Sequence, residues 1–217
     1  MAELLQESIA EPHIAEPKGP SQEVPSQSLT LSNEYRVIGQ IEDPVSQEAI
    51  QAEPLVTGRL QEVAGRLGPI ARAVVDLIPV PLRASLYISV KLEEYGDDDD
   101  KSAGYFHIDG DIEVGNGEIT AEQGLRMLCV FGGLADTEVL TESFTVALNG
   151  LDLSTATDED LAWCLSNSIS THVAGGLAVP VVVKNQNLFQ FSLDTAHRRG
   201  KIKQSGLRLL VGFGVIH

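Results

Sequence analysis

His107 and Asp109 lie two residues apart in YFHIDGDIEV, and on an extended chain such positions share a face. An imidazole beside a carboxylate is a pair that general acid–base chemistry uses. The alternation continues through Asp111 and Glu113, with Phe106, Ile108, Ile112 and Val114 opposite, so a strand with one wet, acidic face accounts for it as well. Just upstream, Asp97, Asp98, Asp99 and Asp100 precede Lys101. That run spells the enteropeptidase recognition peptide, but it is internal and adjoins no tag. We read it as a solvated loop adding to an acidic face.

Calcium loops place acids at alternate positions, glycine sixth and an acid twelfth. Counted from Asp109, the sixth residue is Val114 and the twelfth Thr120, so the turn and the bidentate ligand are both missing. GNGEIT, residues 115–120, has the glycines of a phosphate-cradling turn without the third. Five nearby carboxylates would repel the anion, and Asn116-Gly117 suits a tight connection. Cys129 and Cys164 fall on apolar faces as small hydrophobes, and no serine stands in G-x-S-x-G. No metal, cofactor or catalytic residue is therefore assigned from motifs. An enzyme would need a dispersed site.

The remaining cluster is basic: Arg198, Arg199, Lys201, Lys203 and Arg208 in HRRGKIKQSGLR, residues 197–208. It contrasts with the 97–160 stretch, where sixteen acids meet two bases, and the whole chain carries −16. Sequence-specific nucleic-acid binding is not expected, because phosphates would meet like charge over much of the surface and the basic loop lacks aromatics for stacking. Opposite charges at 97–118 and 198–203 can pair within one subunit or between neighbours, and pairing between neighbours builds homo-oligomers.

These residues need elements to hold them. Residues 1–34, with four prolines among Glu, Ser and Gln, read as an acidic disordered arm. Residues 35–217 read as one α+β domain: a mostly antiparallel sheet packed with about four helices. Helical spacing predicts two helices across 60–77, separated at Gly68-Pro69. Alternation predicts a strand over 82–92, joined by a long loop to the 106–114 strand as a hairpin. The capping-box pattern TAEQ predicts a helix over 121–131, and TDED one from Thr157 to about Ser170. SFTVALNGL reads as a strand, and three more follow in AVPVVVK, LFQFSL and LRLLVGFGVI, with Pro180 placing the first at an edge or at its own start.

The layout of a Pro-bearing arm, a compact β-rich module and a basic C-terminal loop is similar to that of viral matrix or coat proteins. The likeness is architectural and spans the chain loosely, and the acidic arm departs from the basic arms such proteins often carry. With the charge layout, the expectation is a non-enzymatic structural protein that associates with itself through Asp97–Asp100, Asp109, Asp111 and Glu113 on one side and the basic loop on the other. Residues 197–208 would then face an anionic membrane or a nucleocapsid. The alternative is an acidic module for a basic partner, or an enzyme with a dispersed site. The start MAELLQESIAEPHIAEPKGP lacks a signal peptide's pattern and no apolar run suits a span, so an intracellular, cytoplasmic location is expected, or a virion if viral.

Overall fold

The structure, a computed structural model, describes residues 35–110, 112–115, 118–121, 124–141, 146–147 and 156–215. Residues 1–34, Asp111 and most of SFTVALNGL lie outside them. The described part is α+β and built from antiparallel sheets. No helix among the described residues is long and apolar enough to cross a membrane.

In chain order the strands are β1 Arg36–Gln40, β2 Thr57–Arg59, β3 Leu86–Tyr95, β4 Ile112–Gly115, β5 Glu118–Ala121 and β6 Leu125–Phe131. They continue as β7 Thr137–Val139, β8 Val146–Ala147, β9 Val181–Val183, β10 Asn187–Ser192, β11 His197–Arg199 and β12 Gly206–Val215. The helices are α1 Gln47–Ala52, α2 Leu60–Val63 with a 3-10 turn at Ala64–Arg66, α3 Pro69–Asp76, α4 Val80–Arg83 and α5 Asp158–Ala174.

The large sheet runs β1-β10-β6-β12-β3-β2, and a second runs β11-β7-β9. His107 adds a bridge to His197 in β11. From β3 onward the chain visits these sheets in the alternating order of an eight-stranded jelly roll: β3, the His107 bridge, β6, β7, β9, β10, β11, β12. β4, β5 and β8 form a separate three-stranded sheet. Leu128, Val130, Phe189 and Phe191 from the large sheet pack with Val139 and Val183 from the small one. That shared apolar cluster places the two sheets face to face.

The other face of the large sheet buries Leu86, Ile88, Val90, Met127, Cys129 and Val211 against α1 to α3. α3 begins at Pro69, and its first-turn amides, which have no partner within the helix, are capped from a distance: Ile70 and Ala71 donate to the buried Glu53 carboxylate at 3.1 and 2.9 Å. On the small sheet's outer side, α5 buries Leu161, Leu165 and Ile169 with Phe106, Leu140 and Ala196. Thr157 closes a capping box with Asp160, as the TDED pattern implies.

Two expectations are corrected. Residues 125–131 are a strand, not a helix: β6 lies between β10 and β12 with both faces covered, so its residues read as a continuous apolar run that periodicity alone does not distinguish from a helix. Nor does the 106–114 segment pair with the preceding strand. β3 pairs with β12 and β2, while His107 bridges to His197 and β4 pairs with β5. Crossing between sheets wins over the local hairpin because both edges of β3 are taken, one by β12 and the other by β2. Its apolar face meets the helices, and Ser89, Lys91 and Glu93 on the other face line a cavity at the jelly-roll mouth. The edge position of the strand after Pro180 holds for β9.

Candidate metal centre

His107 and His197 face each other as an antiparallel pair, exchanging backbone hydrogen bonds of 2.9 and 2.8 Å. Two residues on, Asp109 N and Gly110 N both donate to Leu193 O, at 3.1 and 3.0 Å, which holds Asp109 beside the pair. The donor atoms of His107, Asp109 and His197 all lie within 4.8 Å of one another. This is the one cluster among the described residues with that capacity for a metal ion.

The imidazoles are oriented for it. His107 Nδ1 lies 3.3 Å from Tyr105 O, and His197 Nδ1 lies 3.1 Å from Thr195 O. A carbonyl only accepts, so each Nδ1 carries a proton and donates, and in the neutral ring the lone pair then lies on Nε2. Backbone carbonyls commonly orient metal-binding histidines in this way. Burial is the main force holding His197 neutral: the residue is 5% exposed, and its pKa is pulled down to about 4. The neighbouring His107 pushes the same way, while Asp109 opposes.

Arg126, from β6 of the facing sheet, fixes the carboxylate. Its Nε donates to Asp109 Oδ2 at 2.9 Å, while Oδ1 points to His197 Nε2 at 3.8 Å. One oxygen is thus held and the other faces the histidines. Phe191 packs on the His197 ring with centroids 4.9 Å apart and closes its apolar side. The centre opens on a cavity of about 200 Å³ whose walls include Ser89, Lys91, Glu93 and Arg126. The Ser89 hydroxyl is buried there without a hydrogen-bond partner.

The other expected site residues are placed as follows. Asp97 accepts from the Ser205 hydroxyl, Asp99 from Gly96 N at 2.6 Å, and Asp100 from Ser102 N at 2.9 Å and from its hydroxyl. Asp98 is exposed. Three of the four carboxylates therefore stabilise a solvated turn, and the Ser102 contacts hold the Asp100 carboxyl below its ordinary range. Glu113 lies in β4, and Asp111 falls outside the described residues. The GNGEIT segment joins β4 to β5 as a hairpin in the Gly115–Glu118 register.

In the basic stretch Arg198 pairs with Glu138 at 2.7 Å and covers the Phe106 ring at 4.2 Å. Arg199 lies over Tyr95, Lys203 pairs with Asp136 at 2.6 Å, and Lys201 is exposed. Arg208 is buried and pairs with Glu93 at 2.7 Å. Among the described residues these cations pair with Glu138, Asp136 and Glu93, none of which lies in the 97–118 run, so the expected pairing between 97–118 and 198–203 is not among the ion pairs. Sequence reasoning found the His107–Asp109 pair but not His197 or Arg126. Both reach the site through sheet pairing, which no local spacing reports. No family model and no curated protein matches this chain.

Proposed function

We propose that the chain is a metal-dependent oxygenase of the mononuclear non-haem iron type, with His107, Asp109 and His197 as ligands. The observation that carries this reading is the convergence of two carbonyl-oriented imidazoles and one arginine-held carboxylate within 4.8 Å at the mouth of a jelly roll. Two histidines and a carboxylate form the facial donor set of non-haem Fe(II) oxygenases, which leaves positions open for O2 and small molecules. The jelly roll does not choose this function, since unrelated activities share it.

Bound Fe(II) would supply O2 activation, for which a 2-oxo acid is the fitting co-reactant: 2-oxo acid, O2 and a C–H substrate give the shortened acid, CO2 and an alcohol. The chain's own groups do the rest. His197, neutral at physiological pH, presents a lone pair, and Arg126 holds Asp109 in place and turned. Lys91 and Arg126 place positive charge on the cavity wall where a co-reactant's carboxylates would lie. Phe191 and Leu128 shield the centre from one side.

Self-association draws less support, because Arg198, Lys203 and Arg208 are already paired internally. An oxygen electrode tests the proposal, using tag-free protein, Fe(II), ascorbate and either pyruvate or 2-oxoglutarate. We expect protein-dependent O2 uptake matched by CO2 release, lost in His107→Ala, Asp109→Ala and His197→Ala. Uptake that persists in all three variants contradicts it.

A further inference from the structure

Beside the metal centre, and sharing His107 with it, a second groove of about 430 Å³ runs between the 105–107 segment and α5. Two large aromatic side chains stand open at its edges, Tyr105 at 85% exposure and Trp163 at 68%. Exposed aromatics along a concave wall lack the burial that ordinarily accounts for such residues. Glu159 contributes a carboxylate to the same wall, and it has no hydrogen bond or ion pair among the described residues. Asp158, Glu159 and Asp160 together outweigh the roughly half unit of positive charge at the start of α5. Ser166, Asn167 and Ser170 continue the wall with polar groups, and the Ser166 hydroxyl is buried without a partner.

We propose that this groove receives a lysine or arginine side chain of a basic peptide and is the substrate subsite of the neighbouring metal centre. Aromatic faces and a carboxylate are the combination that attracts an organic cation. A neutral apolar occupant would gain nothing from Glu159, and an anion would be repelled. The net charge of −16 draws cationic partners to the molecule from a distance. Asn167 and Ser170 on α5 offer hydrogen bonds to a peptide main chain. The groove's place next to His107 brings the bound side chain to the metal face. The role as substrate subsite rests on the oxygenase reading, whereas cation binding does not.

Trp163 is the sole tryptophan, so intrinsic fluorescence reports directly on the groove. The probe is acetyl-Ala-Ala-Lys-Ala-Ala-amide, titrated in EDTA so that the result stands apart from any metal. A norleucine analogue, matched in shape but uncharged, is the control. We expect saturable quenching by the lysine peptide, at least tenfold weaker binding of the norleucine peptide, and at least fivefold loss in Glu159→Gln and in Tyr105→Ala. All these positions are exposed, so the variants should fold, which circular dichroism checks. Equal binding of the two peptides, no saturable change, or unchanged affinity in both variants would overturn the cation site. n-Butylammonium binding as tightly as the peptide would overturn the peptide assignment. A metal centre that failed to bind iron would leave every one of these titrations unchanged.

Discussion

At the scale of single residues, the account turns on what holds three side chains in register. Arg126 touches Asp109 without being a ligand, so we treat it as a positioning residue. Arg126→Ala is expected to lower metal affinity about tenfold to a hundredfold while leaving one site per chain, measured by calorimetry. His197 gives a pH signature in metal-free protein. Folded, it stays neutral down to about pH 4, whereas unfolded it takes up a proton near 6.5. Between these values the unfolded state binds the additional proton, so stability is full above pH 6.5 and falls as pH drops toward 4, by up to roughly 3 kcal/mol. Urea unfolding across that range should show the slope, and His197→Gln should flatten it. Away from the site, Glu53→Ala removes the carboxylate that caps α3 and should cost about 1–3 kcal/mol by the same assay.

At the scale of elements, the end of β6 is the tightest join. Gly132 follows it at φ +109°, and a Cβ there would run into Leu207 O on β12. Gly132→Ala should therefore cost more than about 2 kcal/mol in denaturant unfolding, through both the backbone angle and the displaced strand. Cys129, inside β6, should resist thiol reagents until the chain unfolds, because burial excludes reagent and raises its thiol pKa, while half-buried Cys164 reacts first. β6 is also where sequence and structure part. Its two buried faces gave LRMLCVF no period of 2, and TAEQ before it imitated a helix cap. β3 and α5 were legible because one-sided burial or a real cap left its mark on local order. Half of the candidate site was legible for the same reason, as His107 and Asp109 share a face on an extended segment. His197 was hidden in a run that reads as a basic loop, and about ninety residues separate it from its partners. Tyr105 and Trp163 carried no pattern at all, since their exposure follows from where α5 lands.

At the scale of the whole molecule, the jelly roll places a helical layer on one sheet, α5 on the other, and the polar cavity at the mouth between them. His107 and Asp109 are exposed, so their variants should fold normally, while buried His197 serves both the fold and the site. The net charge of −16 is compatible with such a mouth because the cations that matter, Lys91 and Arg126, are local to it. A metal bound to the folded state alone should raise the unfolding midpoint, by about 2.7 kcal/mol of stability at a free concentration one hundred times Kd. The most direct measurement is anaerobic calorimetric titration of tag-free, EDTA-stripped protein with Fe(II). The account requires one site per chain, weakened at least a hundredfold in Asp109→Ala and in His197→Ala, with their circular dichroism unchanged. A chain that takes up no Fe(II), or takes it up equally in both variants, would contradict it.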